Sequence, residues 1–285
     1  MISQIDEFYV AAQIRMLRSA DKRTILVLEG ENDEKALGRF VDPTACDVEI
    51  AFGKPNLLGA FDLLEEEGFR GIIGIVDADF DRVIGVQMSL ENICVTDYHD
   101  LDLTIFSTAA LERYLLEHAD SEAVSSLGGC SGVRELLLGS AVPLSCSRYI
   151  SDRDGHRLYF KDIKYEDFVN VESVAIDIDS LCTIVIDRSN TRCLPDQLSR
   201  LISIEMANGH DLMQLSRGHD VAAFLGLALR KRIGSRRVQQ TWSSEIEAGL
   251  RLAFEWAHFT TTQLYQCLRG WEAGNRPYKI FAVST

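Results

Sequence analysis

The sequence predicts an α/β protein: a parallel sheet flanked by helices in the N-terminal part, followed by a mostly helical C-terminal part. Three observations carry this. The runs Ile25-Leu26-Val27-Leu28 and Ile72-Ile73-Gly74-Ile75-Val76 are apolar without alternation, as strands covered on both faces are. Segments of helical spacing, about ten residues long, separate the apolar runs, as right-handed crossovers between parallel strands require. Beyond Gly128-Gly129 the pattern becomes largely helical.

Taken in order, Ile5, Phe8, Tyr9, Ala12 and Leu17 give a lead-in helix over 4–20, and the first strand covers 24–28. A helix opens at Gly30-Glu31-Asn32-Asp33-Glu34 and runs to about Val41, with Asn32 as its cap and acids in its first turn. A second strand lies near 47–52. The loop Gly53-Lys54-Pro55-Asn56 follows, and Asn56 caps a helix over 57–67 that ends at Gly68. The third strand covers 71–76 and the fourth 92–96, and a helix spans about 101–118. The domain boundary is placed near 120, giving domains 1–120 and 121–285. In the second, a helix over 134–150 is expected to break at Pro143. Residues 156–186 can hold short strands or a hairpin, and several helices over 192–272 are interrupted at Gly209, Gly218, Gly234 and Gly270. Trp242, Trp256, Leu268 and Trp271, at helical spacing, are first of all core, and some of this group can instead form a partner or homodimer face.

The net charge of −14 is unevenly placed. Residues 1–120 carry 10 Lys+Arg against 24 Asp+Glu, and residues 121–285 carry 19 against 19. The second part is therefore neutral overall, but it groups Arg230-Lys231-Arg232 and Arg236-Arg237 downstream of Arg217. Such a group can meet phosphate whatever the total charge, or it can be a solvated helix face. Seven cysteines without CxxC spacing argue for reduced thiols in a cytosolic protein and against a zinc site or a disulfide framework. A cytoplasmic location without membrane contact is expected: no run reaches the roughly 18 apolar residues of a span, and the first residues do not resemble a secretory signal.

The acids carry the chemistry. Glu29 ends the first strand, and Asp77-Ala78-Asp79 ends the third. In an open α/β sheet both ends face the crevice where functional groups collect. Crowded carboxylates repel one another unless a divalent cation lies between them, and all-oxygen donors suit Mg²⁺ or Mn²⁺. Asp77 and Asp79 can both reach a metal if the backbone turns between them. Glu29 can hold a second ion or act as general acid or base, with Asp81 and Asp100 as outer ligands. Lys54, Arg217, Arg230, Lys231 and Arg232 are candidates for substrate phosphate. Structural alternatives stand beside these roles. Glu29 also suits a helix cap, Asp77 and Asp79 suit a turn, Asp100 and Asp102 suit a first helical turn, and His99 and His219 suit structural pairs with neighbouring acids.

The ordered set Glu29, Asp77-x-Asp79, each after a strand with strand-helix units between, resembles the TOPRIM fold over roughly residues 20–120. Topoisomerases, primases, small nucleases and OLD-family nucleases share that fold. The chain is more closely similar to the TOPRIM effectors of the PARIS antiphage defence type (AriB-like). That likeness rests on Leu28-Glu29-Gly30-Glu31-x-Asp33, Gly53-Lys54-x-Asn56, Gly74-Ile75-Val76-Asp77-x-Asp79-Phe80-Asp81, Thr96-Asp97-Tyr98-His99-Asp100-Leu101 and Gly218-His219-Asp220. One departure is Asp102, where such relatives are expected to carry Glu. The resemblance implies a metal-dependent endonuclease using one or two Mg²⁺ or Mn²⁺ ions. It implies a toxic effector in abortive antiphage defence, released by a partner ABC-type ATPase to cut host RNA such as tRNA in preference to DNA. An OLD-like DNA nuclease and a non-catalytic regulatory or partner-binding module are the alternatives. The chain itself has no Walker A or GxGxxG sequence, so any ATP dependence would come from another protein.

Overall fold

The structure is a computed structural model, which describes residues 5–86 and 90–282. In chain order the elements are α1 (Glu7–Ala20), β1 (Thr24–Leu28), α2 (Glu31–Leu37), β2 (Cys46–Ile50), α3 (Lys54–Glu66), β3 (Ile72–Val76) and β4 (Ile93–Val95). Helices follow: α4 (Leu101–Ser107), α5 (Ala110–His118), α6 (Ser121–Ser126), α7 (Gly129–Arg153), α8 (Ile178–Asp187) and α9 (Pro195–Ala207). The last are α10 (Leu212–Leu215), α11 (Gly218–Lys231), α12 (Ser243–Ala253), α13 (Trp256–Phe259) and α14 (Gln263–Gly274). The protein is α/β, as its sequence predicts, with the sheet near the N-terminus and a mostly helical remainder.

The chain divides into two compact units. One comprises Met1–Ala78, Gln87–Asp97 and Phe254–Thr285; the other comprises Asp79–Val86 and Tyr98–Ala253. A single cut at 120 therefore does not describe the division. The physical reason is the return of the C-terminal segment to the sheet unit. Cys267 of α14 is disulfide-bonded to Cys94 of β4. Both carboxylate oxygens of Asp97 accept backbone N–H groups at the start of α14, from Gln263 and Leu264, each at 2.8 Å. The Phe40 ring stacks on Phe259 and meets Phe254 and Trp256 edge-on. The disulfide also corrects the expectation of uniformly reduced thiols. Its partners lie 173 residues apart, and no local spacing announces such a pair, so the cysteines no longer argue for a reducing compartment.

In the sheet unit the strands are all parallel, in the order β2-β1-β3-β4. Strands β1 and β3 are central and buried at every position, which is why they read as unbroken apolar runs. Ile25, Val27, Ile72 and Val76 pack with Val10 and Ile14 of α1 and Leu57, Ala60 and Leu64 of α3. Each such Val, Leu or Ile side chain contributes about 1.5–3 kcal/mol by leaving water. Gly74 is required by this layer: a Cβ there would lie 2.7 Å from Ile93 and 2.8 Å from Leu57. The lead-in helix starts at Glu7; position 4 of the expected span lies outside the described residues. The caps differ from expectation. Gly30 and Gly53 occupy the cap positions of α2 and α3, and Asn56 instead donates its amide to the Ala51 carbonyl at 3.0 Å.

In the helical unit α11 is buried along almost its whole length, as a helix apolar on all sides must be. Helix α7 runs unbroken through Pro143. The missing N–H and ring clash cost about 3 kcal/mol. Buried Leu137, Leu138 and Leu144 beside it offset that at about 1.5–3 kcal/mol each. The expected strands over 156–186 reduce, among the described residues, to one antiparallel bridge between Val169 and Ile176. Residues 178–187 are helix α8 instead, because Asp177 caps it through Asp179 and Ser180, and Leu181, Cys182 and Val185 form one buried stripe. Gly270 likewise lies inside α14 rather than interrupting it. No helix among the described residues is long and apolar enough to cross a membrane.

Candidate functional site

In the sheet unit a set of hydrogen bonds ties together the carboxyl ends of β1, β2 and β3. The Glu29 carbonyl accepts the Gly53 N–H at 2.9 Å. The Glu29 side chain accepts the backbone N–H of Asp77 through Oε1 at 2.8 Å. Lys54 Nζ donates to the Asp77 carbonyl at 2.8 Å. Ala78 N–H donates to Thr96 Oγ1 at 3.0 Å, fixing the chain as it leaves β3. These contacts follow from the strand order: β1 lies between β2 and β3, so residues just past the three strands emerge side by side. Phe52, exposed and at φ 58°, and Gly53, at φ 123°, make the sharp turn that brings Lys54 into place.

Glu29 and Asp77 are thus brought together, half-buried, and Lys54 with them. Asp79 and Asp81 belong to the helical unit. Asp79 begins the turn that follows and adopts φ 47°, a left-handed conformation that Asp tolerates better than most residues. Its N–H donates to the His99 carbonyl at 2.8 Å. Asp81 lies in the turn that follows, where its carbonyl accepts the Val86 N–H at 2.8 Å.

Asp100 acts as a clamp between two helices of its unit. It caps α4 by accepting the Leu103 N–H at 2.8 Å through Oδ1, and accepts the Gly218 N–H at the start of α11 at 2.7 Å through Oδ2. Gly218 permits this approach, since a Cβ there would lie 2.5 Å from the Asp102 side chain. Loss of solvent pushes the Asp100 carboxyl up, opposed by His99 and the two N–H groups. The same loss pushes the His99 imidazole down, opposed by Asp100 and the Gln214 carbonyl. His99 is buried, with Nδ1 3.1 Å from the Gln214 carbonyl and its ring edge-on to Phe80. Asp102 faces Arg251 at 3.4 Å.

The Gly218-His219-Asp220 segment is a structural junction. Asp220 is buried and accepts two bonds from Arg148, at 2.6 and 2.8 Å, and one from the Tyr165 hydroxyl at 2.6 Å. His219 lies 2.6 Å from Glu247, which holds the imidazole above its ordinary value of 6.5. Among the phosphate candidates, Arg230 bonds Glu166 at 2.6 Å and Thr241 at 2.7 Å, and Lys231 meets Glu172 at 3.1 Å. Arg217 and Arg232 are exposed and make no salt bridge among the described residues. Sequence reasoning missed Arg148 and Tyr165, whose partner lies 72 and 55 residues away.

Among the described residues no three of His, Cys, Asp and Glu form a group able to hold a metal ion. The Glu29–Asp77 pair nonetheless fits Mg²⁺ by donor type and number, because that ion is commonly held by one or two carboxylates with water and phosphate oxygens completing its shell. The chain matches no protein-family model and no curated protein.

Proposed function

We propose that the chain is a metal-dependent TOPRIM-type endonuclease, a toxic effector of antiphage defence that cuts host RNA such as tRNA when released by a partner ATPase. The observation supporting this most strongly is the hydrogen bond from the Asp77 backbone N–H to Glu29 Oε1, which holds the Glu29 carboxylate against the residue that ends the neighbouring strand. Acids at neighbouring strand ends are what metal-assisted phosphodiester hydrolysis would draw on. A divalent ion bound there would neutralise phosphoryl oxygens and lower the pKa of a bound water. Glu29 and Asp77 would hold it, Glu29 being fixed by the Asp77 N–H and Asp77 by Lys54. Lys54, with its ammonium on the Asp77 carbonyl, orients the loop and offsets negative charge, so its first role is positioning rather than phosphate contact.

A second reading, a non-catalytic regulatory module, draws support from Asp100, whose two oxygens already serve backbone donors. Incubation with total tRNA, single-stranded DNA and double-stranded DNA in Mg²⁺, Mn²⁺ or EDTA, with wild type and Glu29→Ala, separates the two. The nuclease reading expects metal-dependent cutting, tRNA first, that the variant lacks. Preference for DNA would favour the OLD-like alternative. No cutting by a folded protein, with or without extract of phage-infected cells, would favour the module.

A further inference from the structure

The helical unit contains a cleft of about 1140 Å³ lined entirely by its own residues. That exceeds the roughly 300–1,000 Å³ of ordinary small-ligand sites. Its floor is preorganised. Arg148 and Asp220, with side chains 11% and 1% exposed, form a two-point ion pair that also engages Tyr165. Arg148 is further held over the Phe160 ring at 4.5 Å. Arg230 is neutralised by Glu166, and His219 by Glu247. These groups satisfy one another, so they shape the cleft without demanding a ligand.

The rim differs. Arg157, Lys161 and Arg217 line the cleft, are exposed, and make no salt bridge among the described residues. Trp242 lines it with 54% of its surface open to solvent. A tryptophan that exposed is an unspent apolar face, and a flat ring is the natural partner for it. Two carboxylates, Asp152 and Asp162, also line the cleft without a salt bridge among the described residues. At the rim three cations stand beside two carboxylates, and Arg217 also feels the charge of Asp100. Arginine and lysine groups of this kind suit a phosphate oxygen as hydrogen-bond acceptor.

We propose that this cleft binds a nucleotide unit bearing a single phosphate, with its base stacked on Trp242 and its phosphate held by Arg157, Lys161 and Arg217. The unit comes either from a free nucleoside monophosphate or from a single strand of RNA. Binding in the cleft does not require the acid pair to be catalytic. None of Glu29, Asp77, Asp79, Asp81 and Asp100 is among the lining residues, although Phe80, between Asp79 and Asp81 in the chain, is.

Titration calorimetry on the full chain in EDTA tests this separately from any metal-dependent cutting. The probes are adenosine monophosphate, adenosine, inorganic phosphate and a single-stranded hexaribonucleotide. The expected result is binding of the monophosphate, the hexanucleotide or both, with adenosine and phosphate at least about tenfold weaker. Trp242→Ala should weaken binding by about tenfold or more, as loss of base stacking does, whereas Trp242→Phe should largely keep it. The double variant Arg157→Ala/Lys161→Ala should weaken it about as much. These residues are surface-exposed, so the variants leave the core intact. Comparable affinity for monophosphate and hexanucleotide identifies the free nucleotide; binding of the hexanucleotide alone identifies the strand. Absence of binding by both, equal binding of phosphate alone, or unchanged affinity in Trp242→Ala would overturn the proposal.

Discussion

The two units hold their charges by different means. In the sheet unit the acids Glu29 and Asp77 stay half-buried at strand ends and are positioned by backbone donors and a lysine within the same set of loops. In the helical unit Asp220 and Glu205 are buried and satisfied by arginines remote in sequence, Arg148 and Arg153, and by Tyr165 or His210. A half-buried carboxylate keeps part of its hydration and is charged at modest cost. A buried one must give its acceptors to the fold, because an unpaired buried charge is costly. The contrast separates acids held at strand ends by neighbouring loops from acids that hold helices.

The largest effect should come from removing a buried acid. Asp220→Ala leaves Arg148 without its two-point partner and strands the Tyr165 hydroxyl, so stability should fall by about 3–5 kcal/mol in urea unfolding. A loss under about 1 kcal/mol would mean that the helical unit does not depend on this pair. In the sheet unit the comparable fastening is the Cys94–Cys267 cross-link. Reducing it should cost about 2–4 kcal/mol, chiefly by freeing the unfolded chain, and unfolding with and without dithiothreitol measures this.

Asp100 tests which class an intermediate case belongs to. Asp100→Ala removes a helix cap, about 0.5–2 kcal/mol, and leaves the Gly218 N–H unpaired, about 1–3 kcal/mol. A total loss of about 1.5–5 kcal/mol is expected, and a variant as stable as wild type would return Asp100 to the ligand set. The smallest effect is a titration. Because Glu247 raises the folded-state value of His219 above 6.5, their attraction is fully present below about pH 6.5 and is lost as pH rises through the raised value. The His219 imidazole signal should titrate above 6.5 by NMR, and Glu247→Gln should bring its midpoint down. His219 is more than half exposed on its side chain, so this contribution to stability is small.

The same contrast explains what could be read from sequence. Glu29, Lys54 and Asp77 lie just past strands whose apolar runs are visible, and parallel order brings their ends together. Pairing Arg148 with Asp220, or Cys94 with Cys267, needs the chain to be folded first, since the partners are 72 and 173 positions apart. Asp100 was legible as a first-turn helix acid but not as the acceptor for Gly218, 118 residues on. The helix through Pro143 shows burial outweighing a local rule. Helix α8 shows one overlooked, since Asp177 before the Leu181-Cys182-Val185 stripe is a capped amphipathic pattern.

Whether Glu29 and Asp77 hold a divalent ion is best measured by titrating Mn²⁺ into the metal-free protein, following free Mn²⁺ by electron paramagnetic resonance, and repeating it with Glu29→Gln and Asp77→Asn. Both substitutions conserve shape, and the side-chain amide of Glu29→Gln retains an oxygen for the Asp77 N–H, so the fold should be kept within about 1 kcal/mol. One or two ions bound by wild type, with affinity falling at least about tenfold in each variant, is the expected result. Equal Mn²⁺ binding by wild type and both variants, or none by a folded wild type, would contradict it.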